Sequence, residues 1–170
     1  MKAQGLKAWE EEELPGALYL EEYDFLGKIE AFREGKFYVQ DVSSMQAGVW
    51  AVPKPGDFVL DVCAAPGGKS IHAAETLLKA EQELQASGQG VKTPGIVEAR
   101  DLTEYKVSLI KENIMRCGLP NICAVQADAR ILDHSLTEKA DIVLADLVFL
   151  TETLDAAVKT TPYFPDFPPG

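Results

Sequence analysis

The chain is poor in the residues that build metal centres and disulfide frames. Its 170 residues include two histidines, His72 and His134, and three cysteines, Cys63, Cys117 and Cys123. The cysteines are odd in number and widely spaced, so neither a zinc pattern nor a disulfide framework is written here. No metal site is expected, and a reducing cytoplasm is the natural compartment. No apolar run approaches the length of a membrane span. The amino terminus has no basic segment followed by an apolar one, so no signal peptide is expected either. Basic excess is lacking too: 27 acidic against 16 basic side chains give a net charge of −11. Such a chain is not expected to grip nucleic acid alone through broad phosphate neutralisation. Part of the acidity is one run, Glu10 to Glu13, which reads as a solvated face.

Hydrophobic residues make up 46% of the chain, enough to exclude general disorder and to build one domain with a core. The most informative stretch is Phe58-Val-Leu-Asp-Val-Cys-Ala-Ala-Pro-Gly-Gly-Lys-Ser70. A short apolar strand ends in an acid, Asp61. A loop of small residues, Cys63 to Gly68, then leads into a helix. This layout places a ligand at the carboxyl end of a parallel strand, where open α/β sheets bind cofactors. Gly67 and Gly68 allow close backbone approach.

Two phosphate-binding patterns fail here. A P-loop requires Gly-x-x-x-x-Gly-Lys-Ser/Thr; Gly68-Lys69-Ser70 fits its end, but Cys63 stands at the first glycine position. The Gly-x-Gly-x-x-Gly spacing of dinucleotide sites is absent. A nucleoside-type ligand carrying a carboxylate or ammonium group over the loop remains, as in S-adenosylmethionine enzymes. A plain strand–turn–helix corner is the competing reading.

Strand and helix patterns alternate along the chain. An acidic segment with Trp9, Tyr19, Tyr23, Phe25 and Phe32 comes first, then Gly35 to Gln40 as a strand or turn. A helix is expected over 42–52, beginning after Asp41 and stopped by Pro53 and Pro55. Strands are expected at 58–62, 96–99, 122–126 and 141–147, and helices at 68–86 and 103–117, the latter closed by Gly118. The fold class is therefore α/β: a mainly parallel sheet of about four strands, with an α/β amino-terminal extension. Acids stand at the carboxyl ends of all four strands: Asp61, Asp101, Asp128 and Asp146. In a parallel sheet they gather at one edge. Asp101, with Glu98 as the weaker candidate, is placed to accept from ribose hydroxyls, and Asp128 from an adenine amine. Asp61 or Asp146 would lie near a sulfonium and an ammonium.

On these residues the chain resembles the Sun/Fmu family of bacterial ribosomal RNA (cytosine-C5)-methyltransferases, related to the NOP2/NSUN proteins. The matching stretches are Phe37 to Met45, Leu60 to Ser70, Ala99-Arg-Asp101, Gln126-Ala-Asp-Ala-Arg130 and Val143-Leu-Ala-Asp146. The resemblance implies a partial Rossmann-like S-adenosylmethionine methyltransferase fold. It divides the chain into an extension (1–52), a cofactor-binding domain (53–147) and a non-matching, proline-rich tail (148–170). It also implies that Cys63, Ala64, Ala65, Pro66, Gly67, Gly68, Lys69, Asp101, Asp128 and Asp146 bind S-adenosylmethionine. RNA, ribosomal in this family, is the implied partner of the complete protein, with weak or no binding by this acidic chain.

One departure matters for the chemistry. The family continues its fourth strand with Asp-x-Pro-Cys, whereas Phe149 stands at that cysteine position here. The family's attacking cysteine belongs to a Thr-Cys pair on a later strand, which this chain does not contain. Cytosine C5 is a poor nucleophile until a thiolate adds at C6. None of the three cysteines present is assigned to either role, so no catalytic residue is expected. The expectation is a catalytically incomplete, shortened or frameshifted member that holds the cofactor, with a non-catalytic cofactor- or protein-binding module as the alternative. The apolar 142–150 stretch is expected to form an exposed strand edge that favours self-association.

Overall fold

The computed structural model describes residues 7–11, 14 and 16–146. Two short strands, β1 (Lys7–Glu10) and β2 (Leu18–Glu21), open it as an antiparallel hairpin. Trp9 stacks on Tyr19 across this hairpin, with ring centroids 5.6 Å apart. One turn of helix follows, α1 (Glu30–Arg33), then α2 (Val42–Ala51). Asp41 caps α2 by accepting from the Ser44 amide at 2.8 Å, and from both serine hydroxyls, Ser43 at 2.6 Å and Ser44 at 2.8 Å. These bonds hold the Asp41 carboxyl well below the usual carboxylate range. The helix stops at Val52, which takes a left-handed conformation (φ 39°) before Pro53; the proline ring disfavours the α region for the residue before it.

The main sheet follows: β3 (Phe58–Asp61), α3 (Gly68–Ala86), β4 (Ile96–Asp101), α4 (Glu104–Cys117), β5 (Ile122–Gln126) and β6 (Ile142–Leu144). The strand order is β5-β4-β3-β6, and every pair is parallel. After β3 the chain runs outward through β4 and β5, then crosses to the other side of β3 as β6. The loop leaving β3 therefore lies where the strand order reverses, the position that opens a crevice in such sheets.

Alternation along the strands builds one core face. Val59, Val97, Ala99 and Ile122 point to the side occupied by Ile71, Ala74 and Leu77 of α3 and Ile110 of α4, and all are buried. On α4, Val107 and Ile110 are one turn apart and both buried. The Thr103 side chain caps this helix at the Lys106 amide, and Gly118 ends it in the left-handed region (φ 66°).

The structure differs from the sequence pattern in three places. Residues 35–40 form turn and extended chain without a strand ladder. The fourth strand of the main sheet is shorter than 141–147 and covers Ile142–Leu144. Asp141 brackets its start instead: its amide donates to the Phe58 carbonyl at 2.9 Å, and its carboxylate accepts from the Phe58 amide at 2.7 Å. Glu81, a charged residue on α3, is buried because its carboxylate accepts from the Gly95 amide at 2.5 Å and the Gly56 amide at 3.3 Å. Phe149, the tail and the 147–150 part of the expected edge lie outside the described residues.

Candidate functional site

The candidate site is assembled at the carboxyl edge of β3, β4, β5 and β6. Asp61 ends β3 and is 1% exposed. It shares its strand face with Val59, so it points toward the helices. The Ser70 hydroxyl on α3 donates to it at 2.6 Å, and the Cys63 amide at 3.3 Å. Burial pushes the Asp61 carboxyl up; the two hydrogen bonds oppose that shift.

The loop after Asp61 is fixed by backbone bonds. The Val62 amide donates to the Leu144 carbonyl of β6 at 3.0 Å, and the Ala64 amide to the Arg100 carbonyl of β4 at 2.8 Å. At Gly67 the chain turns with φ +108°, a conformation that side chains disfavour, and enters α3. No side chain caps α3 at this end, which leaves first-turn amides without an intrahelical or side-chain cap acceptor where the helix begins after the β3 loop.

Asp101 ends β4 on the helix side and is 4% exposed. It accepts from the Ala65 amide at 3.1 Å and the Leu102 amide at 2.8 Å, and pairs with Lys106 at 3.2 Å. Asp101 thus joins the β4 terminus to the β3 loop. Glu98, the weaker ribose candidate, shares neither the face nor the edge. It pairs with Arg100 at 2.5 Å on the opposite side of the sheet, and Arg100 also meets Asp133 at 3.0 Å.

The other two acids lie beyond their strands. Asp128 accepts from the Arg130 guanidinium at 2.6 and 2.9 Å, which brings its carboxyl down to about 2. Asp146 pairs with Lys69 at 2.6 Å. Lys69 leaves the first turn of α3 toward α2, where its ammonium also donates to Ser44 at 2.7 Å. A cleft between α2 and the β6 terminus is lined by Ser43, Ser44, Lys69, Leu144 and Asp146. The structure thus brings Cys63 to Lys69, Asp101 and Asp146 around the β3 loop. Asp128 stands off in the turn after β5.

Sequence reasoning missed Ser44, Ser70 and Lys106. Ser70 was visible as the last residue of the Gly-Gly-Lys-Ser string, but its partner, Asp61, is nine residues away. Ser44 carried a signal in its spacing from Asp41, a helix-start pattern. Among the described residues, no group of three or more His, Cys, Asp or Glu side chains is arranged to hold a metal ion. No described helix is long and apolar enough to cross a membrane.

A parallel sheet with a small-residue loop at its reversal point and acids along its carboxyl edge defines a Rossmann-like domain of the methyltransferase class. The match to a family model is specific: residues 49–149 fit 16S rRNA methyltransferase RsmB/F, and the chain belongs to that family. It is 36% identical over 121 residues to the tRNA (cytosine(72)-C(5))-methyltransferase of Pyrococcus horikoshii, covering 71% of this chain and 27% of that protein. It is 40% identical over 116 residues to the "Probable ribosomal RNA small subunit methyltransferase B" of Bacillus subtilis, covering 68% of this chain and 23% of that protein. The solved structure of NSun6 from Pyrococcus horikoshii with SFG superposes with a TM-score of 0.56 at 32% identity, over 74% of this chain and 29% of that one. The chain therefore spans about a quarter of the length of these relatives.

Proposed function

We propose that the chain binds S-adenosylmethionine at the carboxyl edge of its sheet, as the cofactor-holding part of an RNA (cytosine-C5) methyltransferase. The observation that carries this reading is the charge of the edge. Asp61, Asp101 and Asp146 surround a loop that leads into an uncapped helix, and Asp128 adds its charge from the turn after β5. A sulfonium and an ammonium suit the acids, and a ligand carboxylate suits the helix amides. A triphosphate would bring several negative charges into the same acids. The donor set thus fits S-adenosylmethionine better than ATP.

In this reading the backbone of Cys63, Ala64, Ala65, Pro66, Gly67 and Gly68 forms the floor of the site. Asp101 holds that loop through the Ala65 amide, and its carboxylate is the group offered to a ribose. Asp128 is offered to the adenine amine. Lys69 acts from the side: it fixes Asp146 and ties it to Ser44 on α2. When bound, the cofactor supplies a methyl group to a nucleophilic carbon. The proposed units are the extension (1–52) and the cofactor domain (53–147).

The three cysteines do not fit the attack on C6. Partial burial raises the thiols of Cys63, Cys117 and Cys123, and the nearby carboxylates of Asp101 and Asp61 raise Cys63 further. Thiolates are the attacking species, so these positions disfavour it. We therefore assign this chain cofactor binding without the thiol chemistry, in a cytoplasmic setting. RNA, ribosomal by family, is the proposed substrate of the complete enzyme, and the net charge of −11 keeps RNA binding by this chain weak. A non-catalytic module is the second reading, favoured by the same raised thiols. Among the described residues β6 is a sheet edge with Val143 57% exposed, which supports self-association. Light scattering at high concentration is expected to show oligomers, and a clean monomer would remove that part of the reading.

Isothermal titration of the purified chain with S-adenosylmethionine, against ATP, tests the main proposal. Selective binding of the former is expected. ATP binding without it would restore the phosphate-loop reading that Cys63 argues against.

A further inference from the structure

The amino-terminal extension reaches the β3 loop through two α4 side chains that no part of the site description uses. Arg116, in the last turn of α4, donates to the Phe32 carbonyl at 3.0 Å and the Phe37 carbonyl at 2.9 Å. Its guanidinium also lies 4.0 Å from the centroid of the Phe32 ring. These bonds clasp the turn after α1. Gly35 sits in that turn with φ +70°, and a Cβ there would fall 1.7 Å from the Arg116 carbonyl oxygen. The turn is therefore packed against the α4 backbone with no room for a side chain.

Arg116 also donates to the Asn113 side-chain oxygen at 2.9 Å. The Asn113 amide nitrogen donates in turn to the Pro66 carbonyl, again at 2.9 Å. Pro66 has no amide proton, so its carbonyl is the backbone hydrogen-bonding group it offers. A continuous path thus runs from the Phe32 and Phe37 carbonyls through Arg116 and Asn113 to the middle of the loop. The same extension touches the loop's end directly. A Cβ on Gly68 would meet Gln40 Cγ at 3.4 Å and the Val39 carbonyl oxygen at 3.6 Å.

We infer that Arg116 and Asn113 are positioning residues that let the 32–40 segment set the backbone of the cofactor loop, making the extension a working part of the cofactor site. The inference rests on the proposed cofactor reading for its functional meaning, and on the hydrogen-bond path for its structural content. Asn113 is suited to the role because one side chain both accepts from Arg116 and donates to Pro66. Aspartate keeps the first ability and loses the second.

The test compares wild type, Asn113→Ala, Asn113→Asp and Asn113→Gln in the full 170-residue chain by amide hydrogen exchange across 63–69. Titration with S-adenosylmethionine is run in parallel. Exchange in the loop is expected to rise about five-fold in the Ala and Asp variants, the equivalent of one net hydrogen bond, with the β4 and α3 amides unchanged. Cofactor affinity should fall by a similar factor, and the Gln variant should recover part of both. If Asp behaves as wild type, the Pro66 bond does not position the loop and the inference is overturned. It is equally overturned if wild type binds the cofactor and Asn113→Ala binds it as well. Faster loop exchange in the variants, with no cofactor binding even by wild type, would uphold the positioning path and refute the cofactor reading instead.

Discussion

The two faces of the main sheet are made by the same four strands and could hardly be more different. On the helix side Val59, Asp61, Val97, Ala99 and Asp101 are all buried. On the opposite side Ile96 is 52% and Val143 57% exposed, Cys123 is exposed, and the Glu98–Arg100–Asp133 cluster lies partly open. Because side chains alternate along a strand, Asp61 and Asp101 share a face with the core, while Glu98 does not. Asp61 and Asp101 are therefore held by amides and a hydroxyl inside the fold. The acids beyond the strands, Asp128 and Asp146, are held by cations instead.

The contrast is open to direct attack. Leu77→Ala removes a fully buried side chain from the covered face and is expected to cost about 3 kcal/mol. Val143→Ala on the open face should cost under about 0.5 kcal/mol. Urea unfolding measures both, and equal costs would mean that the open face is covered in solution. Next in size, Asp101→Ala leaves the Ala65 and Leu102 amides without their acceptor and is expected to cost about 2 kcal/mol. Glu98→Gln, its neighbour across the sheet, should cost about 1 kcal/mol or less.

Asp61 gives a smaller effect that depends on pH. Its carboxyl is raised above the ordinary value of 3.8 by burial, so the folded state holds its proton more tightly than the unfolded state does. The stability it contributes is present below that ordinary value and is lost as pH rises through the raised one. Asp61→Asn retains an oxygen for Ser70 and should flatten the pH dependence of the urea midpoint over this window. An unchanged profile would place the titration elsewhere. Smallest is the thiol effect: the three cysteines are raised above the ordinary 9.0. Alkylation should be slow near neutral pH and accelerate only above that value. A fast-reacting Cys63 would reopen a nucleophilic role.

Much of the sheet was legible because its signals are local. Gly68 to Ala86 reads as a helix from its start at the Gly67-Gly68 pair, and Gly118 marks the end of α4 by its left-handed conformation. The edge acids were legible because each stands at or just beyond the end of a strand pattern, Asp61 and Asp146 directly after apolar runs. The rest depends on contacts across long sequence separations. The Ser70–Asp61 bond, the Lys69–Ser44–Asp146 bridge and the Asn113–Pro66 bond join elements that have no shared pattern. The burial of Glu81 was hidden for the same reason: its amide partners, Gly56 and Gly95, come from two distant loops.

The most direct test is to map amide chemical shifts while titrating the chain with S-adenosylmethionine. The account predicts shifts at Cys63 to Lys69, at Leu102 beside Asp101 and around Asp128, with Glu98, Cys123 and Val143 unmoved. Shifts confined to the open face, or none at saturating cofactor in a folded chain, would contradict it.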